Sequence, residues 1–264
     1  MELLVSFNAD LREWQVRHLR RFFVSTEDIK GEEVQIKDSD AHHLTQVLRL
    51  KEGEKVIVFD GTGLEYEIII KNIASGLVSG EIQGITSSTR DSLIDVTLVQ
   101  GIPKGDKMEL IIQKCTELGI AKIIPVLTER TVVKLDDEKK GKRREKWQKI
   151  AQEASKQCKR ATVPQIGEIC TWEKYLTETS NKEPILVLWE NETTRGIKSY
   201  LQENKDLKQL TLVVGPEGGL AQQEVDKLLA MGAQTVSLGQ RILRTETAGL
   251  AALVMVLYEL GDLG

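Results

Sequence analysis

Leu210-Thr-Leu-Val-Val-Gly-Pro-Glu-Gly-Gly219 is an apolar run that breaks into a glycine-rich, charged turn. Further on, Leu238-Gly-Gln-Arg-Ile-Leu-Arg-Thr-Glu-Thr-Ala248 repeats the arrangement. Each block places bare backbone and charged side chains where a buried strand ends. In an open α/β sheet, ligands bind at such ends. Gly215, Gly218 and Gly219 are free to take positive φ and admit a ligand close to the main chain. Pro216 fixes one torsion between them, and Glu217 supplies a carboxylate. The second block offers Gly239, then Arg241, Arg244 and Glu246 ahead of a helix rich in small residues. Either turn alone is an ordinary strand-to-helix connection. Two of them, each charged, read as a binding site.

The pattern around these blocks is α/β. From residue 93 onward apolar runs alternate with helical periodicity, which predicts a parallel sheet. The expected strands are 95–100, 122–127, 185–189, 210–215 and 235–238. The expected helices are 104–118, 141–158, 221–231 and 245–260. In the first helix Met108, Ile111, Ile112, Cys115 and Leu118 share a face. Thr245 reads as the N-cap of the last. Residues 19–86 read differently, as short β-runs at 22–24, 34–36, 55–59, 65–70 and 77–82. A turn signal stands at Asp60-Gly-Thr-Gly63, and one helix falls near 38–48. Such a run of strands suggests a small barrel. The polar stretch 87–92 marks the junction. The expected organisation is an extension at 1–18, a β-domain at 19–90 and an α/β domain at 91–264.

Composition narrows the function. The chain has 264 residues, and its 41% hydrophobic content is enough for buried cores. No run of eighteen apolar residues predicts a membrane span, and Met1-Glu-Leu-Leu-Val lacks the start of a signal peptide. Three scattered cysteines fit free thiols in the cytoplasm. No Cys/His spacing suits zinc, so no metal is expected. Neither the G-x-G-x-x-G nor the phosphate-loop motif is present, which weakens ordinary nucleotide-fold readings.

The net charge is −4, yet residues 139–160 hold ten bases against two acids. This local excess of eight positive charges on an acidic chain suggests a phosphate-binding footprint. Arg17-His-Leu-Arg-Arg21 adds a second basic group. A solvated helix face is the plain alternative for the long run.

The two opening blocks also resemble the signature of the ribosomal RNA small subunit methyltransferase E family. Further matching segments are His42-His-Leu-Thr-Gln-Val-Leu-Arg-Leu50, Lys104-Gly-Asp-Lys-Met-Glu109, Cys115-Thr-Glu-Leu-Gly119 and Glu129-Arg-Thr-Val-Val-Lys134. The resemblance runs from about residue 19 to the end. Gln240 stands where the family pattern carries proline. The resemblance implies a knotted SPOUT methyltransferase domain behind a PUA-like RNA-binding barrel. It implies S-adenosylmethionine as cofactor, methylation of uridine N3 in 16S rRNA as reaction, and a homodimer. On this reading Leu188, Gly215, Pro216, Glu217, Gly218, Gly219, Leu238, Gly239, Ile242, Leu243 and Thr247 are the cofactor candidates. Arg244 is the candidate for stabilising a uracil anion, with an RNA phosphate contact as its competing role. Glu246 and Glu217 are candidate bases or structural carboxylates. Arg20, Arg21, Arg49, Lys104, Lys107, Lys142, Arg143, Arg144 and Arg160 are the RNA candidates. A knotted methyltransferase of other specificity, and a non-catalytic RNA-binding assembly factor, remain alternatives at this point.

Overall fold

The computed structural model describes residues 19–87, 92–179, 183–261 and 263. Its chain separates into two units. One takes the chain before Ser92 together with Lys156–Thr162; the other takes Ser92–Ser155 and the chain from Val163 onward. The extension expected at 1–18, with Arg17, and most of the junction at 87–92 lie outside the described residues.

The first unit contains β1 (Arg21–Phe23), β2 (Ile29–Lys30), β3 (Glu33–Lys37), α1 (Asp38–His42), β4 (Lys55–Phe59), β5 (Leu64–Ala74) and β6 (Leu77–Ser87). Its strands form one six-stranded sheet in the order β1-β4-β5-β6-β3-β2. Only the β1–β4 pair is parallel. Alternating residues supply the core, as the period of a strand requires. Val34 and Ile36, Val56 and Val58, and Tyr66, Ile68 and Ile70 pack with Phe22, Leu44 and Val78. β5 and β6 run past their expected ends through polar residues. Register shifts at Glu67/Ile68 and Ile70/Asn72 accompany that long pairing and break the simple alternation. The helix expected near 38–48 is one short α-turn that passes into a π-turn over His43–Val47.

Residues 156–162 join this unit through specific contacts. Lys156 Nζ pairs with Asp40 at 2.8 Å, and the Gly63 amide donates to Ala161 O at 3.3 Å. Two RNA candidates are used internally here, which corrects the expectation for them. Arg21 pairs with Glu65 at 2.5 Å, lies over the Phe59 ring, and keeps its side chain 9% exposed. Arg160 is buried, and its Nη2 donates to the Thr162 hydroxyl at 2.9 Å. Arg20 and Arg49 are exposed.

The second unit contains β7 (Asp95–Gly101), α2 (Lys107–Leu118), β8 (Lys122–Leu127), most of α3 (Asp137–Cys158), β9 (Gln165–Ile166), β10 (Cys170–Thr171), α4 (Trp172–Glu178), β11 (Ile185–Leu188), α5 (Ile197–Glu203), β12 (Gln209–Val214), α6 (Gln222–Ala230), β13 (Gln234–Val236) and α7 (Thr245–Glu259). The strands run β10-β8-β7-β12-β11-β13, with β9 beside β8, and every pair is parallel. Both faces are covered, so the strands read as continuous apolar runs. Val96, Leu98, Leu210, Leu212 and Leu186 pack with α2, α3, α5 and α7. Val99, Val126, Val187 and Val213 pack with Trp172, Tyr175, Val225 and Leu228 of α4 and α6. Trp147 of the basic helix is buried in the first of these cores. Among the described residues no helix is long and apolar enough to cross a membrane.

Candidate active site

β12 and β13 flank β11, so the two glycine-rich blocks leave the sheet on the same side, at strand C-terminal ends. A cavity of about 820 Å³ opens there. Its walls are residues 188–190 after β11, 214–219 after β12 and 236–245 before α7. Of the cofactor candidates, Leu188, Gly215, Pro216, Glu217, Gly218, Gly219, Leu238, Gly239, Ile242 and Leu243 line it; Thr247 does not. Arg244 lines it from the N-cap position of α7, and Ile242 is 87% exposed at its mouth.

The glycines differ in what they do. Gly219 takes φ of +70°, while Gly215 and Gly218 do not adopt positive φ. Gly215 serves close approach instead. A Cβ on it would stand 2.6 Å from the Gly219 carbonyl carbon and 2.8 Å from the Leu220 nitrogen.

Beneath the loop lies a polar latch. Thr245 is the first residue of α7, not its cap, and it is buried. Its hydroxyl donates to Gly215 O at 2.6 Å and accepts from Gln100 Nε2 at 2.9 Å. Gln100 also donates to Gly101 O at 2.9 Å. One amide thus ties the ends of β7 and β12 to the start of α7. Gln100 Oε1 is buried without a hydrogen-bond partner among the described residues, so the amide is held through its donor side alone. Gln100 went unremarked in the sequence; the signal was a polar residue at the end of an apolar strand.

Charge is distributed by pairing. Lys107 Nζ lies 3.0 Å from Glu217 Oε1 and 3.3 Å from Glu246 Oε2. The Lys104 amide also donates to Glu217 Oε1, at 3.1 Å. Burial pushes the Glu217 carboxyl up, but the Lys107 hydrogen bond and the loop amides outweigh it and hold it below the usual carboxylate range. The hydrogen bond to Glu217 leads in raising the Lys107 ammonium above its ordinary value, against a smaller desolvation. A carboxylate held ionised this way is a poor proton acceptor. Glu246 Oε2 is buried and has only the ion pair, without a hydrogen bond. Lys107, an RNA candidate, therefore sits at the cavity wall between the two carboxylates; Lys104 beside it is exposed.

Two further residues brace the loops. Arg130 Nη1 donates to Gly218 O at 2.7 Å. Glu224 accepts from the Ala221 and Glu129 amides, both at 2.9 Å, and so joins the start of α6 to the turn after β8. In the loop after β11, hydrogen bonds from Thr194, then Thr235, hold the Glu192 carboxyl down to about 2. The remaining RNA candidates lie on α3. Lys142 pairs with Glu138 at 2.6 Å, Arg144 Nε donates to Ile166 O at 3.1 Å, and Arg143 is half-buried.

An RNA methyltransferase domain matches residues 90–257, and an RNA methyltransferase PUA domain matches residues 36–83. The ribosomal RNA small subunit methyltransferase E of Bacillus subtilis is 36% identical over 91% of this chain and 97% of its own length. The protein of that name from Synechocystis is 33% identical over 89% of this chain and 76% of its own. The crystal structure of the Neisseria gonorrhoeae ribosomal RNA small subunit methyltransferase E bound to S-adenosyl methionine superposes with a TM-score of 0.79. That structure is 32% identical and covers 90% of this chain and 96% of its own. With its glycine-walled cavity at the strand ends and identities of this size over nearly its whole length, the chain belongs to the ribosomal RNA small subunit methyltransferase E family.

Proposed function

We propose that the chain methylates N3 of a uridine in 16S rRNA of the small ribosomal subunit, with S-adenosylmethionine as donor. The observation that carries this reading is the cavity at the ends of β11, β12 and β13, with Arg244 on its wall. Its volume of about 820 Å³ falls in the range of small-molecule sites. Its glycine walls fit an adenosyl group that approaches the main chain.

When bound, the cofactor supplies an electrophilic methyl group on a sulfonium. Leu188, Gly215, Leu238, Gly239 and Leu243 offer backbone groups to the adenosyl moiety, and Pro216, Gly218, Gly219 and Ile242 shape the slot. The uridine N3 carries a weakly acidic imide proton. Arg244 stabilises the uracil anion at O2 or O4, a charge that develops only as the proton leaves. Glu246 takes that proton. Glu217, engaged by Lys107 and the Lys104 amide, serves to fix the loop. The rest is positioning, because the nucleophile must meet the methyl carbon in line with its leaving group.

The first unit is proposed to be a PUA-like barrel, and the second a trefoil-knotted SPOUT domain in a cytoplasmic homodimer. Val254, Met255 and Tyr258 expose apolar surface on α7, which supports a partner there. RNA contacts are proposed for Arg20 and Arg49 in the first unit and, separately, for Lys104 and the basic residues of α3 in the second. Neutralising Lys142, Arg143 and Arg144 to glutamine together is expected to flatten the dependence of log affinity on log salt by about 2–3, since each lost phosphate contact removes roughly 0.7–0.9. An unchanged slope in a salt titration would make that face a solvated one.

The deciding assay is methyl transfer from labelled S-adenosylmethionine to small subunits from a strain lacking this activity, followed by mass spectrometry of the nucleosides. A 3-methyluridine peak is expected. Label absent from rRNA despite cofactor binding would move the reaction to another RNA. No cofactor binding at all would leave a non-catalytic RNA-binding protein.

A further inference from the structure

Beside the glycine wall lies a carboxylate that none of the described residues engages. Glu190 follows β11, is exposed, and lines the cavity. Among the described residues its side chain makes no hydrogen bond and no ion pair. It occupies the space that a side chain at position 219 would fill. A Cβ on Gly219 would overlap Glu190 Oε1 and stand 3.1 Å from its Cδ and 3.2 Å from its Oε2. Glycine at 219 is thus what lets this carboxylate rest against the loop.

The other carboxylates on the cavity wall are committed. Glu192 is held by the hydroxyls of Thr194 and Thr235, at 2.6 and 2.5 Å. Glu217 is held by Lys107 at 3.0 Å and by the Lys104 amide. The cations Arg241 and Arg244 line the same cavity from the loop before α7, and among the described residues neither forms an ion pair with Glu190. An uncommitted negative charge therefore stands at the glycine loop, at a cavity proposed to hold a cofactor with a fixed positive charge.

We infer that Glu190 is the counter-charge of the cofactor's sulfonium and makes the site prefer S-adenosylmethionine to S-adenosylhomocysteine. The inference rests on the cofactor reading above. The two compounds share the adenosine, the ammonium and the carboxylate. They differ by one methyl group and one positive charge. A sulfonium has no N–H to donate, so its partner acts through Coulomb attraction and needs no fixed hydrogen-bond geometry. A carboxylate lying against the glycine loop, with no partner of its own, suits that task. The consequence is functional: once the methyl has gone, the sulfur is neutral and the attraction that retained the cofactor is gone with it.

Titration calorimetry on the full chain tests this with three proteins and two ligands. The wild type is expected to bind S-adenosylmethionine more tightly than S-adenosylhomocysteine. Glu190→Gln is expected to weaken S-adenosylmethionine binding by roughly fivefold, the scale of an exposed charge pair, and to leave S-adenosylhomocysteine within twofold. Glu190→Asp keeps the charge and should retain part of the preference. Raising the salt should shrink the wild-type preference. An exposed, unpaired side chain is removed, so unchanged thermal midpoints are expected in both variants. Equal weakening of the two ligands would overturn the inference, because the carboxylate would then be holding the shared ammonium or ribose. Unchanged affinities would overturn it as well. A wild type that binds neither compound would refute the cofactor reading itself, and that result is visible without any variant.

Discussion

Replacing Arg244 by alanine is expected to lower methyl transfer by about 100- to 1,000-fold, the usual loss when a donor to a developing oxyanion is removed. Cofactor affinity should stay within a few-fold. The split follows from where the residue sits. Arg244 holds the N-cap position of α7 in extended geometry, φ −65° and ψ 153°, and its side chain makes no capping bond. Its carbonyl accepts from the Thr247 and Ala248 amides at 2.8 and 2.9 Å, and these bonds survive truncation of the side chain. The residue is exposed and lines the cavity. Removing the guanidinium should therefore cost the fold little, about 0.5 kcal/mol or less. Arg244→Lys should recover only part of the rate, since an ammonium keeps the charge but not the planar fork. Single-turnover kinetics beside cofactor titration separate the two quantities. Near-normal turnover in the alanine variant would take Arg244 out of the mechanism.

The glycine loops were legible because their chemistry is local. An apolar run ending in Gly-Pro-Glu-Gly-Gly identifies a buried strand and its turn; the strand expected at 210–215 is β12, Gln209–Val214, one residue earlier at each end. The long helices α2, α3, α6 and α7 were legible from the same short-range periodicity. Failures came where the determinants are short or distant. α4 and α5 have seven residues each, too few to establish a helical period. The Thr171 cap, whose side chain accepts from the Lys174 amide, was the one local signal for α4. The extra length of β5 and β6 depends on cross-strand pairing with register shifts, which polar residues conceal. Arg21 and Arg160 carry the same charge as a phosphate-binding arginine. Only the fold shows that one lies over Phe59 and the other reaches Thr162. Thr245 has the composition of a cap, but α7 begins one residue earlier than a cap there would allow, and the hydroxyl turns to Gly215. The Lys107 clamp joins residues from α2, the β12 loop and α7, and no spacing within one sequence announces it.

The second large effect is expected from a single methyl group. Gly215→Ala would place its Cβ 2.6 Å from the Gly219 carbonyl carbon, 2.8 Å from the Leu220 nitrogen and 3.0 Å from the Gly219 Cα. All three are backbone atoms, so no side-chain end can swing aside. The loop cannot retreat toward β7 either. A Cβ on Gly101 would already stand 2.5 Å from Pro216 Cδ, which shows how tightly Pro216 is seated there. The Gly215 carbonyl is also fixed by the Thr245 hydroxyl at 2.6 Å, so a shift of the turn pulls on the start of α7 and on Arg244 behind it. Overpacking of this kind costs roughly 1–3 kcal/mol of stability. A displacement near 1 Å at a positioning wall costs about 100-fold in rate. Gly218→Ala is the control. Its nearest neighbour is Arg130 Cβ at 3.2 Å, a looser approach than any of the three at 215, so stability should fall by less, about 1 kcal/mol. Denaturant midpoints and S-adenosylmethionine titrations of the two variants, run together, decide the matter. The expected result is a weakened fold and a large loss of cofactor binding at 215, with a smaller loss of both at 218. If both variants behaved alike, the loop would be yielding as a whole, and the rigid wall assigned to residues 215–219 could not be what positions the cofactor.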